Sequence, residues 1–593
     1  MVGSKDYPFN LGDYTRAIST RSEEAQRWFD HGLNWCFGFN HEEGMKCFQN
    51  ALKADPECVM AHWGIAYASG PFYNLLWHEM GEWEAAMVVA LAHSHLMQAR
   101  AFAARATLTE NRLVAALAER FEVQPPALRA DFDRCDLNYA EAMRQMYKDF
   151  PEDPDVAALL VEALITRTPR RLWDMKTGEV AAGTDTTEAL EICEKSIGDA
   201  ERTGKSPHPA MIHLHIHVLE MSHMPERAMR SADTLRTLCP DAGHMNHMPG
   251  HIYLLCGDYE KAKLASEAAI KADDIYAQWA GSMNFYITAR CHDIHLMMYT
   301  CMLLGQYEPA MAAAEKMKSI LSRDILTIPD RPEMAMRTEG YYAMAVHVPV
   351  RFGKWQEIID TPAPDEPQLF PVTMAMHHYA RGVAYAALGS VPEAEQERIL
   401  FHKSRDRVPL GRRLLNNTAV DILAIAENML DGEIAYRKGD YDEAFTHLRE
   451  AVEFDECLNY CEPWAWMHPP RHALGALLLE QGRAAEAEQV YREDLGIAGA
   501  LQRCSQHRDN IWALHGLVEC LKARGDMEEL VAVSAKLEKA KLLTDIPVAS
   551  SCMCATSRYK WLELNKNSNY AYESKFLFRN RTQRSIKPVY SPV

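Results

Sequence analysis

The stretch Gly250-His-Ile-Tyr253-Leu-Leu-Cys-Gly257-Asp-Tyr259-Glu-Lys-Ala262 decides the fold of this 593-residue chain. It predicts two helices joined at Gly257, because apolar residues stand at helical spacing on both sides of a glycine turn. Gly250 and Ala262 are small enough to let the helices cross closely, while Tyr253 fills the gap beside them. A helix pair of this kind cannot bury its apolar face alone, so the stretch predicts neighbours of the same type.

The same pattern recurs over most of residues 25 to 540. Ala228 stands 34 residues before Ala262. Similar units lie at Gly32 to Pro56, Gly305 to Ala310, Gly353 to Trp355, Gly382 to Ala394, Gly432 to Ala451, Gly475 to Tyr491 and Gly516 to Gly525. The pattern resembles the tetratricopeptide repeat (TPR), a 34-residue helix-turn-helix unit. The resemblance implies an all-α solenoid, a superhelix whose first helices line a concave surface.

The sequence divides into a solenoid and two flanking segments. Residues 1–24 form an N-terminal extension, residues 25–555 the TPR-like solenoid, and residues 556–593 a basic, polar C-terminal tail. Long insertions are expected near residues 74–124, 168–187 and 362–371, where they would act as lids or plugs.

Composition excludes several classes of function. The net charge of -19 argues against nucleic-acid binding, which needs a basic surface. We find no secretory signal and no apolar segment long enough to span a membrane, so we expect a cytoplasmic protein. No glycine-rich phosphate-binding motif is present, so no nucleotide cofactor is expected. Among fifteen cysteines only Cys552-x-Cys554 forms a close pair, which could bind a metal, be oxidised or be incidental.

Histidines are concentrated in three segments of the central region. Ten of the 25 histidines lie between His208 and His295. Helix-spaced sets are found at His213, His217 and Glu220, at His244, His247 and His251, and at His292 and His295. Spacings of three and four place each set on one helical face. Imidazole is a ligand for zinc, copper, iron and nickel, so these faces predict a transition-metal site if they meet.

The TPR resemblance implies that these faces do meet, because it places them in matching inward-facing columns of successive helices. We predict His213, His217, His247 and His251 as the central set of ligands. Glu220, Glu162 or His295 would complete the coordination, and His244 and His292 would support the ligands or bind a second ion. The alternative is a polar groove that binds a peptide or responds to pH.

Several blocks also resemble one group of bacterial and fungal TPR proteins whose chemistry is largely unassigned. The blocks include His208-Pro-x-x-x-His213-x-x-Ile-His217-x-x-Glu220, Gly243-His-x-x-His247-Met-Pro-x-His251-Ile-Tyr253, Val350-Arg351-Phe-Gly-x-Trp355 and Tyr460-x-Glu462-Pro-x-x-Trp466. This resemblance supports the fold and the site more than any one reaction.

Two further sets of residues are candidates for binding a substrate. Arg351 and Arg381 are predicted to anchor an anionic group, because guanidinium pairs with carboxylate bidentately. Tyr460, Glu462 and Trp466 lie in an inter-repeat segment that either binds the substrate or braces the repeats.

Two hypotheses of function follow. The first is an enzyme with a mononuclear or dinuclear centre, in which iron or copper would oxidise a small organic substrate. With zinc instead, the reaction would be hydrolysis and Glu162 or Glu220 the base. The second is a scaffold that binds a peptide or protein partner and holds a structural metal. Long insertions beside inner columns rich in histidine, tyrosine and methionine favour the enzyme.

Overall fold

Helices account for nearly every regular element of the chain. The computed structural model describes residues 6–122, 128–329, 332–499 and 501–555. The N-terminal third contains α1 (Glu23–Phe37), α2 (His41–Ala54), α3 (Val59–Ser69), α4 (Glu82–Ala101), α5 (Leu108–Ala118), α6 (Arg129–Asp149), α7 (Pro154–Thr166), α8 (Thr186–Thr203) and α9 (Pro209–Leu219).

The middle third continues the array with helices of very different length. It contains α10 (Met229–Leu235), α11 (Gly243–Cys256), α12 (Tyr259–Ala280), α13 (Ile287–Leu304), α14 (Tyr307–Ile320), α15 (Arg323–Leu326), α16 (Pro332–Met344), α17 (His347–Arg351) and α18 (Trp355–Asp360).

The C-terminal third holds regular helix pairs and a two-stranded antiparallel hairpin. It contains α19 (Pro371–Ala387), α20 (Val391–Arg405), β1 (Arg413–Leu414), β2 (Asn417–Thr418), α21 (Ala419–Lys438), α22 (Tyr441–Glu456), α23 (Pro470–Glu480), α24 (Ala484–Asp494), α25 (Ile511–Arg524) and α26 (Met527–Lys541). Single 3-10 turns lie at Trp77–Glu79, Ala103–Arg105, Glu119–Phe121, Pro225–Ala228, Arg503–Ser505 and Met553–Ala555. The predicted all-α array of paired helices is confirmed.

The helix pair α11 and α12 shows how the opening stretch directs the fold. Helix α11 ends at Cys256, and Gly257 turns the chain with a φ of +80° that glycine adopts without strain. A Cβ atom on Gly250 would lie 2.6 Å from the Leu296 side chain on α13. The small residue at this position therefore permits the close approach of α13, the first helix of the next pair, to α11.

The predicted insertions have different structures. Residues 74–124 contain α4 and α5. Residues 168–187 form a loop that packs onto α9, where the Trp173 indole N–H donates to the Val218 carbonyl over 2.6 Å. Residues 362–371 link α18 to α19, and the predicted tail at 556–593 lies outside the described residues.

Two sequence expectations concern the cysteines and the membrane. Cys552 and Cys554 form a disulfide, and the other thirteen cysteines are free. Among the described residues, no helix combines the length and the apolar character needed to cross a bilayer.

A buried carboxylate attaches the N-terminal extension to the solenoid. Asp155, at the start of α7, accepts from Arg16 over 2.5 Å and lies 3.1 Å from Nε2 of His208, the N-cap of α9. Burial by itself would raise the pKa of Asp155, but His208 and Arg16 outweigh it and lower the pKa to about 2. These contacts therefore favour the ionised carboxylate in the folded protein.

The stabilisation provided by Asp155 should disappear in acid. Because the pKa is lower in the folded protein than in the unfolded chain, the contribution is complete above about pH 4 and is lost as the pH falls towards 2. We expect Asp155→Asn to lower the free energy of unfolding by about 2 kcal/mol at pH 6 and by much less at pH 3. Urea unfolding of the wild-type protein and the variant at the two pH values measures this difference in the free energy of unfolding. An equal difference at both pH values would contradict the prediction.

Candidate metal centre

Helices α9, α11 and α13 lie side by side and bring six histidines into two triads. In each triad the candidate ligand atoms lie within 4.8 Å of one another. We call His213, His217 and His244 triad 1, and His247, His251 and His292 triad 2. In each triad, two histidines four residues apart lie on one helix. The third histidine lies on the first helix of the next helix pair.

The two triads are related by one step of the repeat. His247 and His251 follow His213 and His217 by 34 residues each, the length of one TPR unit. The structure therefore divides the predicted square of four histidines into two separate pairs. The first helices of successive pairs pack about 8 to 10 Å apart. Four histidines at equivalent positions on two of these helices are therefore too far apart to bind one ion together. His244 and His292, predicted as supporting residues or ligands of a second ion, complete the two triads.

In triad 1 the ring nitrogens that face one another are the Nε2 atoms. Those of His213 and His244 are 3.1 Å apart, and Nδ1 of His213 lies 2.7 Å from the Phe37 carbonyl oxygen. A carbonyl accepts only, so Nδ1 of His213 carries the proton and its Nε2 presents a lone pair. The Nε2 atom of His217 is buried and has no partner among the described residues.

Triad 2 repeats this arrangement. The Nε2 atoms of His247 and His251 are 2.6 Å apart. Nδ1 of His247 is 3.0 Å from Asp293, and Nδ1 of His251 is 2.5 Å from Glu220. Glu220 behind His251 directs the Nε2 lone pair of that ring to the centre of the triad, the orientation that metal-binding histidines adopt. The Asp293 side chain lies close to Nδ1 of His247, but this contact lacks hydrogen-bond geometry.

Glu220 joins the two triads. One oxygen lies 2.8 Å from Nδ1 of His217 in triad 1, and the other lies 2.5 Å from Nδ1 of His251 in triad 2. Burial by itself would raise the pKa of Glu220, but the two imidazoles outweigh it and lower that pKa below its ordinary value. Glu220 is thus an ionised carboxylate that orients one histidine of each triad.

Burial keeps four of the six imidazoles uncharged. It lowers the pKa of His213, His244, His247 and His292 well below the ordinary value, and neighbouring histidines lower it further. Neutral imidazole is the form that binds a metal.

An acidic pair supports triad 2 from behind. The hydroxyl of Tyr286 donates to Asp273 over 2.9 Å. Burial and the charge of Asp273 raise the pKa of Asp293. Asp293 was not among the predicted site residues; its position directly after His292 was the available sequence signal.

Aromatic side chains enclose triad 1. Phe39, in the turn between α1 and α2, has a φ of +59° and points its ring into the site. Its centroid lies 4.5 Å from that of His213 and 5.1 Å from that of His244. The Tyr73 ring lies 4.4 Å from His217. These rings exclude water from the imidazoles on one side.

Two of the predicted site residues, Glu162 and His295, lie in other surroundings. Glu162 accepts from the Thr166 hydroxyl over 3.2 Å, and its nearest charge is Arg120, not the histidines. His295 lies outside both triads, with its ring 6.0 Å from that of Tyr341. Helical spacing predicted that these residues lie on inward faces. It does not determine which histidines each of them meets.

The two arginines predicted to bind a substrate are also elsewhere. Arg381 is bound by Glu397, by the Ile359 carbonyl and by the Tyr385 hydroxyl. Arg351 is buried, with its guanidinium carbon 3.7 Å from the centre of the Trp512 ring. Neither arginine lines the cavity beside the triads.

The loop candidates divide between two places. Glu462 is buried beside the triads, and one of its oxygens accepts from Nε of Arg170 over 2.9 Å. Burial raises the pKa of Glu462. Tyr460 lines a small cavity together with His251 and Glu462. Trp466 instead packs its ring 4.6 Å from that of His347, away from the triads.

Two adjoining spaces lead to the triads. We call the first the inner cavity; it has a volume of about 160 Å³ and is lined by His244, His292 and Glu462, among others. The second, the outer groove, has a volume of about 860 Å³. Glu79, Arg170, Arg413 and Asn416 line both spaces, so the groove is a route from solvent to the cavity.

Comparison with known proteins identifies the repeat. The tetratricopeptide repeat model matches residues 244–276, which include most of α11 and α12. No curated protein matches the sequence.

Solved structures of other helical proteins align over most of the chain with low similarity. The Cut9–Hcn1 hetero-tetramer of the APC/C matches at 12% identity, covering 87% of this chain and 76% of that chain, with a TM-score of 0.30. Human IFIT1 with m7Gppp-AAAA matches at 11%, covering 88% and 91%, with a TM-score of 0.30. Yeast Tom70 matches at 9%, covering 87% and 92%, with a TM-score of 0.27.

Proposed function

We propose that this protein is a metal-dependent enzyme with a dinuclear centre, one ion in each histidine triad. The observation that carries the proposal is Glu220, whose two oxygens orient His217 of triad 1 and His251 of triad 2. A carboxylate behind a ligating histidine fixes the tautomer and raises the basicity of the ring. One carboxylate shared in this way couples the two sites.

The donor atoms fit transition-metal ions. Two nitrogens bound to one ion at about 2.0 to 2.1 Å stand roughly 3 Å apart, which matches the 3.1 Å in triad 1; the 2.6 Å in triad 2 is shorter. Three protein ligands per ion leave coordination positions for a substrate or water, as in catalytic centres.

The all-imidazole donor set favours copper over iron. The two-histidine, one-carboxylate iron site needs a carboxylate directed at the ion, whereas Glu220 is directed at two imidazole rings. Zinc also accepts three imidazoles, in which case the reaction would be hydrolysis. A copper pair would supply oxidation of a small organic substrate in the inner cavity, with molecular oxygen as the oxidant that is reduced. The aromatic wall of Phe39 and Tyr73 would exclude water, and Glu462 would hold or release a proton there.

The metal content of the purified protein tests the proposal. We expect elemental analysis to give two transition-metal ions per chain, one for each triad. The double variant His213→Ala/His217→Ala should retain one ion, and the same changes at His247 and His251 should also retain one. Removal of both pairs should leave none. A wild-type protein without stoichiometric metal, or a fully loaded quadruple variant, would refute the centre.

A partner-binding scaffold is the second candidate, and the TPR match at residues 244–276 favours it. TPR arrays present extended concave surfaces that bind partners, and here the ions would only stabilise the array. The resemblance of the histidine blocks to a bacterial and fungal group is compatible with both candidates. A protein that holds its metal but consumes no substrate or oxygen, and that binds a peptide in the outer groove, would favour the scaffold.

A further inference from the structure

The inner cavity has the volume of a single ring. Its 160 Å³ compares with cavities of about 150 Å³ that accept benzene in other proteins. His244 of triad 1 and His292 of triad 2 both line it, so a molecule in the cavity would touch both triads. The cavity is therefore the place where a substrate would meet the centre, and it limits that substrate to a small molecule.

The apolar part of the lining is mostly aromatic. Phe39, Phe72, Phe285 and Tyr341 contribute their side chains, and the Phe39 ring is already within 25° of parallel to His244. Aromatic rings attract other rings in offset-stacked or edge-to-face arrangements, worth about 0.5–1.5 kcal/mol beyond the burial of area. Such a lining selects a planar ring over a flexible chain of equal volume.

The charged part of the lining is positive in balance. The lining contains three arginines, Arg170, Arg337 and Arg413, and two carboxylates, Glu79 and Glu462. Arg413 is exposed and also lines the outer groove. Arg170 is engaged by Glu462. Arg337 is half-buried, and its guanidinium donates to the Glu79 backbone carbonyl over 2.6 Å. Guanidinium has five N–H donors, so Arg337 retains donors for a ligand.

From these observations we infer that the inner cavity binds a single-ring aromatic carboxylate. This inference rests on the proposed function, for which it names the substrate class. The ring lies between the aromatic side chains and against His244 and His292, and the carboxylate pairs with Arg337 and Arg413. The outer groove, which shares Arg413 with the cavity, is the access route.

Calorimetric titration of the full-length protein as purified tests the inference, with the metal content measured in the same samples. The probes are benzoate and benzamide, which have the same ring and differ in charge. We expect benzoate to bind and benzamide to bind at least about tenfold more weakly. Arg337→Gln and Arg413→Gln should each weaken benzoate binding by about tenfold and leave benzamide unchanged. Arg381→Gln, which removes an arginine bound by Glu397, is the matched control and should change neither.

Three outcomes overturn the inference: benzoate does not bind the wild-type protein, benzamide binds equally well, or neither arginine variant weakens benzoate. The last would show that the carboxylate binds an ion directly. If the proposed function is wrong but the inference is right, the purified protein contains no metal and still binds benzoate in a manner that depends on the two arginines. Full metal without benzoate binding overturns the inference alone.

Discussion

Replacing Glu220 with glutamine is expected to weaken metal binding in both triads at once. The amide of glutamine has one acceptor oxygen and one donor nitrogen, so it can accept from only one of the two Nδ1–H groups that Glu220 now accepts. Loss of the carboxylate behind a ligating histidine costs about 10- to 100-fold in metal affinity. Competition with a chromogenic chelator, read as the stoichiometry and affinity of each ion, measures the effect.

Two other carboxylates provide the controls for Glu220→Gln. Asp293→Asn removes the group behind His247 only, so it should weaken one ion and leave the other. Glu162→Gln changes a buried carboxylate whose hydrogen bond is to Thr166, so both ions should remain. If Glu220→Gln keeps both ions at wild-type affinity, Glu220 does not couple the triads. If Glu162→Gln loses metal, the earlier prediction that Glu162 completes the coordination would be favoured.

The general plan of the site could be predicted from the sequence because it depends on local spacing. Histidines four residues apart share a helical face whatever surrounds the helix, so His213 with His217, and His247 with His251, were identifiable as pairs. The 34-residue step between the pairs also indicated that they face the same way. Local spacing and repeat length are properties of one chain segment, and these are the features that sequence reasoning handles well.

The assignment of ligands to separate ions depended on distances between helices, which spacing does not give. His244 and His292 lie near the starts of their helices, and only the packing of α11 on α9 and of α13 on α11 shows which triad each completes. The roles of Arg170, Arg337 and Asp293 have the same origin. Each comes from a different segment. The adjacency of Asp293 to His292 is a local signal, but nothing in the sequence around Arg170 or Arg337 indicates that it faces the histidines.

Close packing determines a second expected effect, at the crossing of the last repeats, where Tyr491 on α24 lies between two glycines. A Cβ atom would approach the Tyr491 ring to 2.5 Å from Gly475 on α23 and to 2.2 Å from Gly516 on α25. Tyr491 cannot turn away, because it is buried and its hydroxyl is 2.5 Å from Ser551 Oγ. Alanine at position 516 therefore forces the helices apart.

We expect Gly516→Ala to lower the free energy of unfolding by about 2 kcal/mol, since overpacking outweighs the gain of about 1 kcal/mol that alanine gives in a helix. Gly198→Ala is the matched control: it is the same change inside α8, where a Cβ atom meets nothing within 4 Å, and it should stabilise the protein. Opposite shifts of the urea midpoint are the predicted result. If the two variants shift the midpoint in the same direction, helix propensity and not close packing determines the effect, and the glycines of the repeat have no special role at this crossing.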